Sequence, residues 1–333
     1  MDVVSDVVNL IKPVKVLVPP LSDSKLGIDH QEEGEGLEAT KDFKAAFRCF
    51  IYSATYGHPR GLASRNRLAL CLSAEEVQQV GKELIEEVSD KARGGDPASL
   101  HVLGILFDKG WGVGQSFGRA FNCYLKAVEK GFLMSIYNVA VFLANGLSVD
   151  KDVDESMRLY NIAAEAGVAS AMNNIGTYYV AGQGVPVDHQ KANDWFFKAA
   201  NNDDSVAQSN LGYRMFFGVG CKPDRDEGIR LLKKSVEAEY EDAYYKLALC
   251  YSDTRGAGPL FSPIEAAYYA NYAMKFENVE KRALSLLQAL RGQLPSGWEK
   301  AIQNRVAADA RVKERRRQDR AVRKYIQDIA LLF

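Results

Sequence analysis

The sequence predicts an all-α fold, a solenoid of helical hairpins, and three observations predict it. The first is a constant period. Gly104, Ala140, Gly176, Gly212 and Ala248 stand 36 residues apart, and the slot holds only the two smallest side chains. The second is what flanks that slot. An aliphatic residue precedes it (Leu103, Val139, Ile175, Leu211, Leu247), and a large one follows three residues later (Phe107, Leu143, Tyr179, Met215, Tyr251). The third is punctuation. Gly110, Gly146, Gly182 and Gly218 follow in phase, with Thr254 in the fifth copy. Self-similarity at a period of roughly 20–50 residues marks units that bury their apolar faces only against neighbours. Arrays of this kind mostly bind other molecules. The period therefore suggests a class of job without naming a partner.

Residues 1–40 read as an acidic, flexible N-terminal segment. Pro13, Pro19 and Pro20 break any helix, and SDSKLGIDHQEEGEGLE is polar and contains glycine. Residues 41–94 read as degenerate repeat helices. KDFKAAFRCFIYSATY, 41–56, ends at Gly57 with Pro59 beyond, and it matches the segment 74 residues later through Ala46–Phe50 and Ala120–Tyr124. Residues 61–72 suit a first helix, with Asn66 in phase with Asn138. Residues 74–93 suit a second. Ser73 followed by Glu76 is a capping box, and Val77, Val80, Leu84, Ile85 and Val88 have helical spacing.

Five clean units fill residues 95–278. In the third, 169–181 is the first helix, AGQGVPVD is the loop, and Asp188 stands ready to cap the second helix. Small residues at Gly176, Ala192 and Ala199 let two helices approach, while Ile175, Tyr179, Trp195 and Phe196 fill the space beside them. The fifth unit has a longer connection, DTRGAGPLFSPIEAA, which displaces its second helix by about two residues. Residues 279–333 read as C-terminal capping helices. A break at GQLPSG (292–297) precedes a long helix from Trp298, apolar at Val322, Ile326, Ile329 and Phe333.

The pattern A-x-x-N-[LI]-G-x-x-Y-x-x-G-x-G-V-x-x-D-x-x-K-A-x-x-W-[FY]-x-K-A-A resembles the Sel-one-like repeat family. The third unit carries it best, through Ala171, Asn174, Ile175, Gly176, Tyr179, Gly182, Gly184, Val185, Asp188, Lys191, Ala192, Trp195, Phe196, Lys198, Ala199 and Ala200. The resemblance covers residues 95–278 well and 41–94 weakly. The second and fifth units lack the slot glycine and most of the loop motif. The resemblance implies a right-handed α-solenoid related to tetratricopeptide repeats, with an adaptor or scaffold function. Some members of the family are disulfide-bonded bacterial proteins, and the irregular cysteines here depart from that type.

Composition limits the class further. The net charge of −1 argues against a nucleic-acid partner. Charge is uneven: residues 1–40 hold three Lys against eight acidic residues, and residues 279–333 hold thirteen Lys/Arg against six. The start has Asp2 where a secretory signal wants a cation, and no run approaches the ~18 apolar residues of a membrane span. Five cysteines without a C-x-x-C pair fit reduced thiols. The expected location is cytoplasmic, although signal-independent secretion would leave no mark.

Asn138, Asn174 and Asn210 recur one residue before the core aliphatic. In a tetratricopeptide-like pair the first helix lines the concave groove, so these residues form a ladder on or near it. Asn offers both a donor and an acceptor, which suits the amides of an extended peptide. The resemblance implies the same, since tetratricopeptide grooves use Asn at the matching slot. The alternative is hydrogen bonding between repeats. His101, Tyr137, Asn173, Thr177, Tyr213 and Lys246 are expected on the same face. The Gly-x-Gly-Val loops at 110–113 and 182–185 lack the preceding strand and the Gly-Lys-[Ser/Thr] of a phosphate loop, and turn geometry accounts for them.

A basic patch of Arg311, Lys313, Arg315, Arg316, Arg317, Arg320, Arg323 and Lys324 has either a solvated capping role or a membrane-surface or RNA role. The four His residues lie far apart, none at metal-ligand spacing with another His or Cys, and no catalytic motif occurs. The expectation is a non-enzymatic protein-binding scaffold without cofactor or metal, its partner a protein or peptide. A specific inhibitor of immunity or antitoxin type is the alternative that the resemblance implies.

Overall fold

The structure, a computed structural model, describes residues 25–58, 61–254 and 260–309. Among these residues the regular structure is helical, with no strand. No helix among them is long and apolar enough to cross a membrane. The chain divides into two compact units, Met1–Asp188 and His189–Phe333.

The first unit contains α1 (Lys25–Ala39), α2 (Phe43–Thr55), α3 (Gly61–Cys71), α4 (Ala74–Arg93), α5 (Pro97–Lys109), α6 (Phe117–Glu129), α7 (Met134–Asn145), α8 (Val153–Glu165) and α9 (Ala169–Ala181). Helix α5 packs on α6, α7 on α8, and each hairpin on the next. The sequence signals at the helix ends work as physical caps. Asp42, Asp96, Ser116 and Asp152 each accept a hydrogen bond from the third backbone N–H of the helix that follows. Ser73 and Glu76 form the full capping box of α4.

Helix α1 corrects the reading of residues 25–39 as part of a flexible segment. Its buried face is Gly27, Gln31, Gly34 and Glu38, polar or very small, so hydrophobic periodicity does not reveal it. At Gly34 a Cβ would stand 2.6 Å from the ring of Phe50 on α2. The Gln31 carboxamide donates to Ser64 Oγ (3.2 Å) and accepts from Ser53 Oγ (2.9 Å). Arg67 donates to both oxygens of Glu38, at 2.5 and 2.6 Å. Specific polar contacts thus do what an apolar stripe does elsewhere.

The second unit contains α10 (His189–Asn201), α11 (Ser205–Phe217), α12 (Arg225–Glu237), α13 (Glu241–Ser252), α14 (Pro263–Ala273) and α15 (Glu277–Leu290), followed by a helical stretch at 298–309. Ile302 in that stretch joins the core of α13, α14 and α15. Arg305 donates to both carboxylate oxygens of Glu265 (2.5 and 3.2 Å) and lies 3.9 Å from the centroid of the Tyr268 ring. The Tyr268 hydroxyl donates to Asp309. Trp195 differs from its expected core role: it is half-exposed, with the Lys198 ammonium 4.1 Å above its ring, while Phe196 beside it is buried.

The 36-residue slots explain how each hairpin closes. Ala140 and Ala248 on first helices, and Ala120, Ser156, Ala192, Ala127, Ala163, Ala199 and Ser235 on second helices, are 0% exposed. Gly212 and Gly228 face each other so closely that a Cβ on either would stand 2.7 Å from the carbonyl oxygen of the other. A Cβ at Gly104 would overlap the ring of buried Tyr124. The loops then repeat one hydrogen bond. The N–H groups of Ser116, Asp152, Asp188, Asp224 and Ser262 donate to the carbonyls of Phe107, Leu143, Tyr179, Met215 and Tyr251, all at 2.9–3.0 Å.

The fifth loop is two residues longer, as the sequence indicates, yet it ends on the same bond. Its cap, Ser262, accepts from Glu265 N–H. In the second loop Ser148 takes the positive φ (58°) that Gly112, Gly184 and Gly220 take elsewhere. Gly112 also has a packing reason. A Cβ there would overlap the backbone at Gly81 on α4, and the Gln78 carboxamide clamps the same loop through Gly110 O and Gly112 N, both at 2.8 Å.

Two glycines give opposite expected outcomes. Gly212→Ala drives a methyl into the rigid backbone of α12 and lowers stability by about 1–3 kcal/mol. Gly118→Ala, a helical site with nothing within 4 Å, raises stability by roughly 0.5 kcal/mol. Urea-unfolding midpoints of the two variants check both signs.

Candidate partner-binding face

The slot before the core aliphatic and the slot before that place two lines of side chains on the first helices. In the first unit these are Arg65 and Asn66 on α3, His101 on α5, Tyr137 and Asn138 on α7, and Asn173 and Asn174 on α9. In the second unit they are Ser209 and Asn210 on α11, and Tyr245 and Lys246 on α13. The structure separates members that are accessible from members that are not.

His101 and Asn173 are not accessible. His101 is 2% exposed and Asn173 is 8% exposed, so neither presents its side chain to a partner as expected. The imidazole Nδ1 of His101 shares a hydrogen bond with Ser135 Oγ (2.8 Å), and the ring lies between Tyr124 (5.5 Å) and Phe132 (5.2 Å). An aromatic neighbour on each side and a hydroxyl below explain the burial. These two residues belong to the packing of the hairpins.

The remaining members divide by unit. In the first, Tyr137, Asn138 and Asn174 are half-buried and Thr177 is exposed. The Asn174 carboxamide donates to the Tyr160 hydroxyl. The Tyr137 ring leans on Tyr160 at 6.0 Å. Thr177 returns its hydroxyl to the Asn173 carbonyl. In the second unit Asn210 accepts from Lys246 Nζ (2.8 Å), a bond between consecutive repeats, and Lys246 also pairs with Asp242 (2.9 Å). Tyr213 packs on Phe217 at 4.7 Å. The Asn slot therefore carries an inter-repeat hydrogen bond at 210 and an intramolecular anchor at 174. The basic patch at Arg311, Lys313, Arg315, Arg316, Arg317, Arg320, Arg323 and Lys324 lies outside the described residues.

Two charged groups escaped the sequence reading. Arg65 is 7% exposed, with Nε and Nη2 donating to Asn66 Oδ1 (3.2 and 3.0 Å) and its guanidinium 5.9 Å from the Trp111 centroid. Burial pushes its pKa down. It occupies the slot of His101 one period earlier, so extending the phase into 61–72 would have found it. Arg214 is 8% exposed and donates to Asn193 Oδ1 (2.6 Å) and the His189 carbonyl (3.3 Å). No periodic signal marks it.

Burial, and secondarily the charge of Arg65, lowers the His101 pKa from 6.5 to about 3. An unfolded chain takes up that proton near 6.5, whereas the folded chain refuses it. The stability tied to neutral His101 is complete above pH 6.5 and is lost as pH falls from there toward 3. At pH 5 the loss is about 2 kcal/mol. His101→Gln, which cannot titrate, is expected to flatten the fall in unfolding midpoint between pH 7 and pH 5 relative to the wild type.

The hairpin register agrees with known proteins. The Sel1 repeat matches residues 21–58, 97–132, 133–168, 169–204, 205–240 and 241–273. The first match contains α1, the helix that sequence patterning misses. The crystal structure of a Sel1 repeat protein from Oxalobacter formigenes is similar at a TM-score of 0.54 and 25% identity, covering 73% of this chain and 98% of that one. That of c5321, a protective antigen present in uropathogenic Escherichia coli strains displaying an SLR fold, is similar at a TM-score of 0.53 and 19% identity, covering 90% and 72%. No curated protein matches the chain in sequence. Six matches over more than half of the sequence, five of them in phase at 36 residues and joined to helical hairpins of the same period, show that the chain belongs to the Sel1 repeat family of α-solenoid proteins.

Proposed function

We propose that this protein is a non-enzymatic scaffold that binds an extended segment of a partner protein along α7 and α9, through Tyr137, Asn138, Asn174 and Thr177. Sel1 repeats are protein–protein interaction modules, which supports the general class. One observation supports the place. The Asn138 side chain is half-buried on the first-helix face and makes no hydrogen bond among the described residues. A carboxamide in that position offers a donor and an acceptor to a peptide backbone. Asn174, one period on, is held by Tyr160, which fixes its orientation before any partner arrives.

Tyr137 adds a large amphipathic surface beside the carboxamides, and tyrosine is a frequent interface anchor. The equivalent face of the second unit is less suited, because Lys246 already engages both Asn210 and Asp242. The reading as a scaffold is supported by what this face offers: hydrogen-bonding and stacking groups held on helices.

The test compares wild type with Asn138→Ala/Asn174→Ala in affinity capture from native extract, followed by titration of the captured protein in purified form. Both side chains are half-buried, so the double variant is expected to keep its circular dichroism, with the lost Asn174–Tyr160 bond lowering its melting temperature by only a few degrees. It is expected to bind at least tenfold more weakly, as befits loss of two backbone-reading contacts of about 1 kcal/mol each. Equal affinity of the two proteins for every captured partner would refute the assignment to α7 and α9.

A further inference from the structure

We infer that His30, Glu33 and Cys49 form a binding site for a borderline-soft divalent metal ion, Zn²⁺ first among them, which ties α1 to α2. The donor atoms of these three residues lie within 4.8 Å of one another. His30 and Glu33 are one turn apart on α1, and Nδ1 of His30 stands 3.8 Å from Oε2 of Glu33. Cys49 comes from the buried face of α2. Sequence spacing hides the group, because its members come from two helices.

The second observation is an orphaned atom. His30 Nδ1 is buried and has no hydrogen-bond partner; among the described residues only Ser209 Oγ shares that state. Buried polar atoms are ordinarily satisfied, so this one calls for a cause. A metal lone-pair acceptor at this point satisfies it. The ring is also held in place, stacked on Tyr52 at 5.2 Å and on Tyr56 at 6.0 Å. A fixed imidazole is what a metal ligand requires, since ring orientation sets the bond direction.

The donor set selects the ion. One nitrogen, one carboxylate oxygen and one sulfur suit zinc and disfavour magnesium or calcium, which take oxygen. Bonds of about 2.0–2.3 Å in a tetrahedron place donors roughly 3.3–3.8 Å apart. Closing a spread of up to 4.8 Å asks for shifts of about 1 Å among the three side chains, of which Glu33, 55% exposed, has the most freedom. Three protein ligands leave the fourth position to water on the exposed side. Cys49 binds as the thiolate and gives its proton to solvent as the metal enters. The site lies inside the first Sel1 match, 21–58, where polar contacts replace an apolar stripe.

Cobalt(II) is the probe, because a cobalt–thiolate bond gives a charge-transfer absorption that carboxylate or imidazole alone does not. The full chain is titrated with Co²⁺ under thiol-free reducing conditions and then with Zn²⁺. The expected result is a thiolate band that saturates at one Co²⁺ per chain and is bleached by Zn²⁺. The band is absent in Cys49→Ser, retained in Cys71→Ser, and at least tenfold weaker in affinity in Glu33→Gln. Glu33 is exposed, so its variant keeps the fold and isolates ligation from stability. Absence of the band in wild type, its survival in Cys49→Ser, or unchanged affinity in Glu33→Gln would overturn the site.

Discussion

Close approach of two helices at positions with almost no side chain is the constraint on which the rest of the structure depends. Where Gly212 faces Gly228, or Gly104 meets the Tyr124 ring, a single methyl has no room. Fully buried Ala and Ser, and buried Gly, recur at the matching slots of the other repeats. The helices cannot slide along one another without lifting large neighbours out of the gaps beside those slots. Register is thereby fixed inside each hairpin. The loop hydrogen bond from each cap N–H to the carbonyl nine to eleven residues before it is the visible consequence. The longer fifth loop shows which comes first. Two added residues move the cap from the expected position to Ser262, yet the bond to Tyr251 forms. Helix contact sets the geometry, and the loop adapts to it.

The same constraint governs chemistry on the first helices. Residues two or three positions before the small slot lie at the margin of the hairpin contact. Whether such a residue is buried depends on the size of its neighbours. His101 stands beside Phe132 and Tyr124 and is enclosed. Tyr137, in the same slot of the next repeat, keeps part of its surface. One periodic line therefore contains both structural groups and accessible ones. A face built this way is irregular in composition while regular in spacing.

Much of the fold was legible in the sequence for physical reasons. Steric slots admit only Gly, Ala or Ser, and caps admit only short polar side chains, so both leave a mark in one sequence. The capping box at Ser73 and Glu76 and the two-residue displacement of α14 are examples. Helix α1 was not legible, because its buried face is Gly27, Gln31, Gly34 and Glu38, residues that resemble a solvated tail until their partners on other helices are known. The candidate face was legible in phase but not in depth. Period places His101, Asn138 and Asn173 on one side of their helices, yet depth is set by Tyr124, Phe132 and Tyr160 from second helices and turns. The grouping of His30, Glu33 and Cys49 was invisible for the same reason: it is a property of two helices meeting.

The most direct test of the central constraint is amide hydrogen exchange resolved to single residues. The N–H groups of Ser116, Asp152, Asp188, Asp224 and Ser262 sit in loops, where amides ordinarily exchange quickly. If helix contact fixes register, all five exchange slowly, at rates close to those of the helices that flank them, and the fifth behaves like the other four despite its longer loop. Fast exchange at these five amides, with protection confined to the helices, would contradict the account.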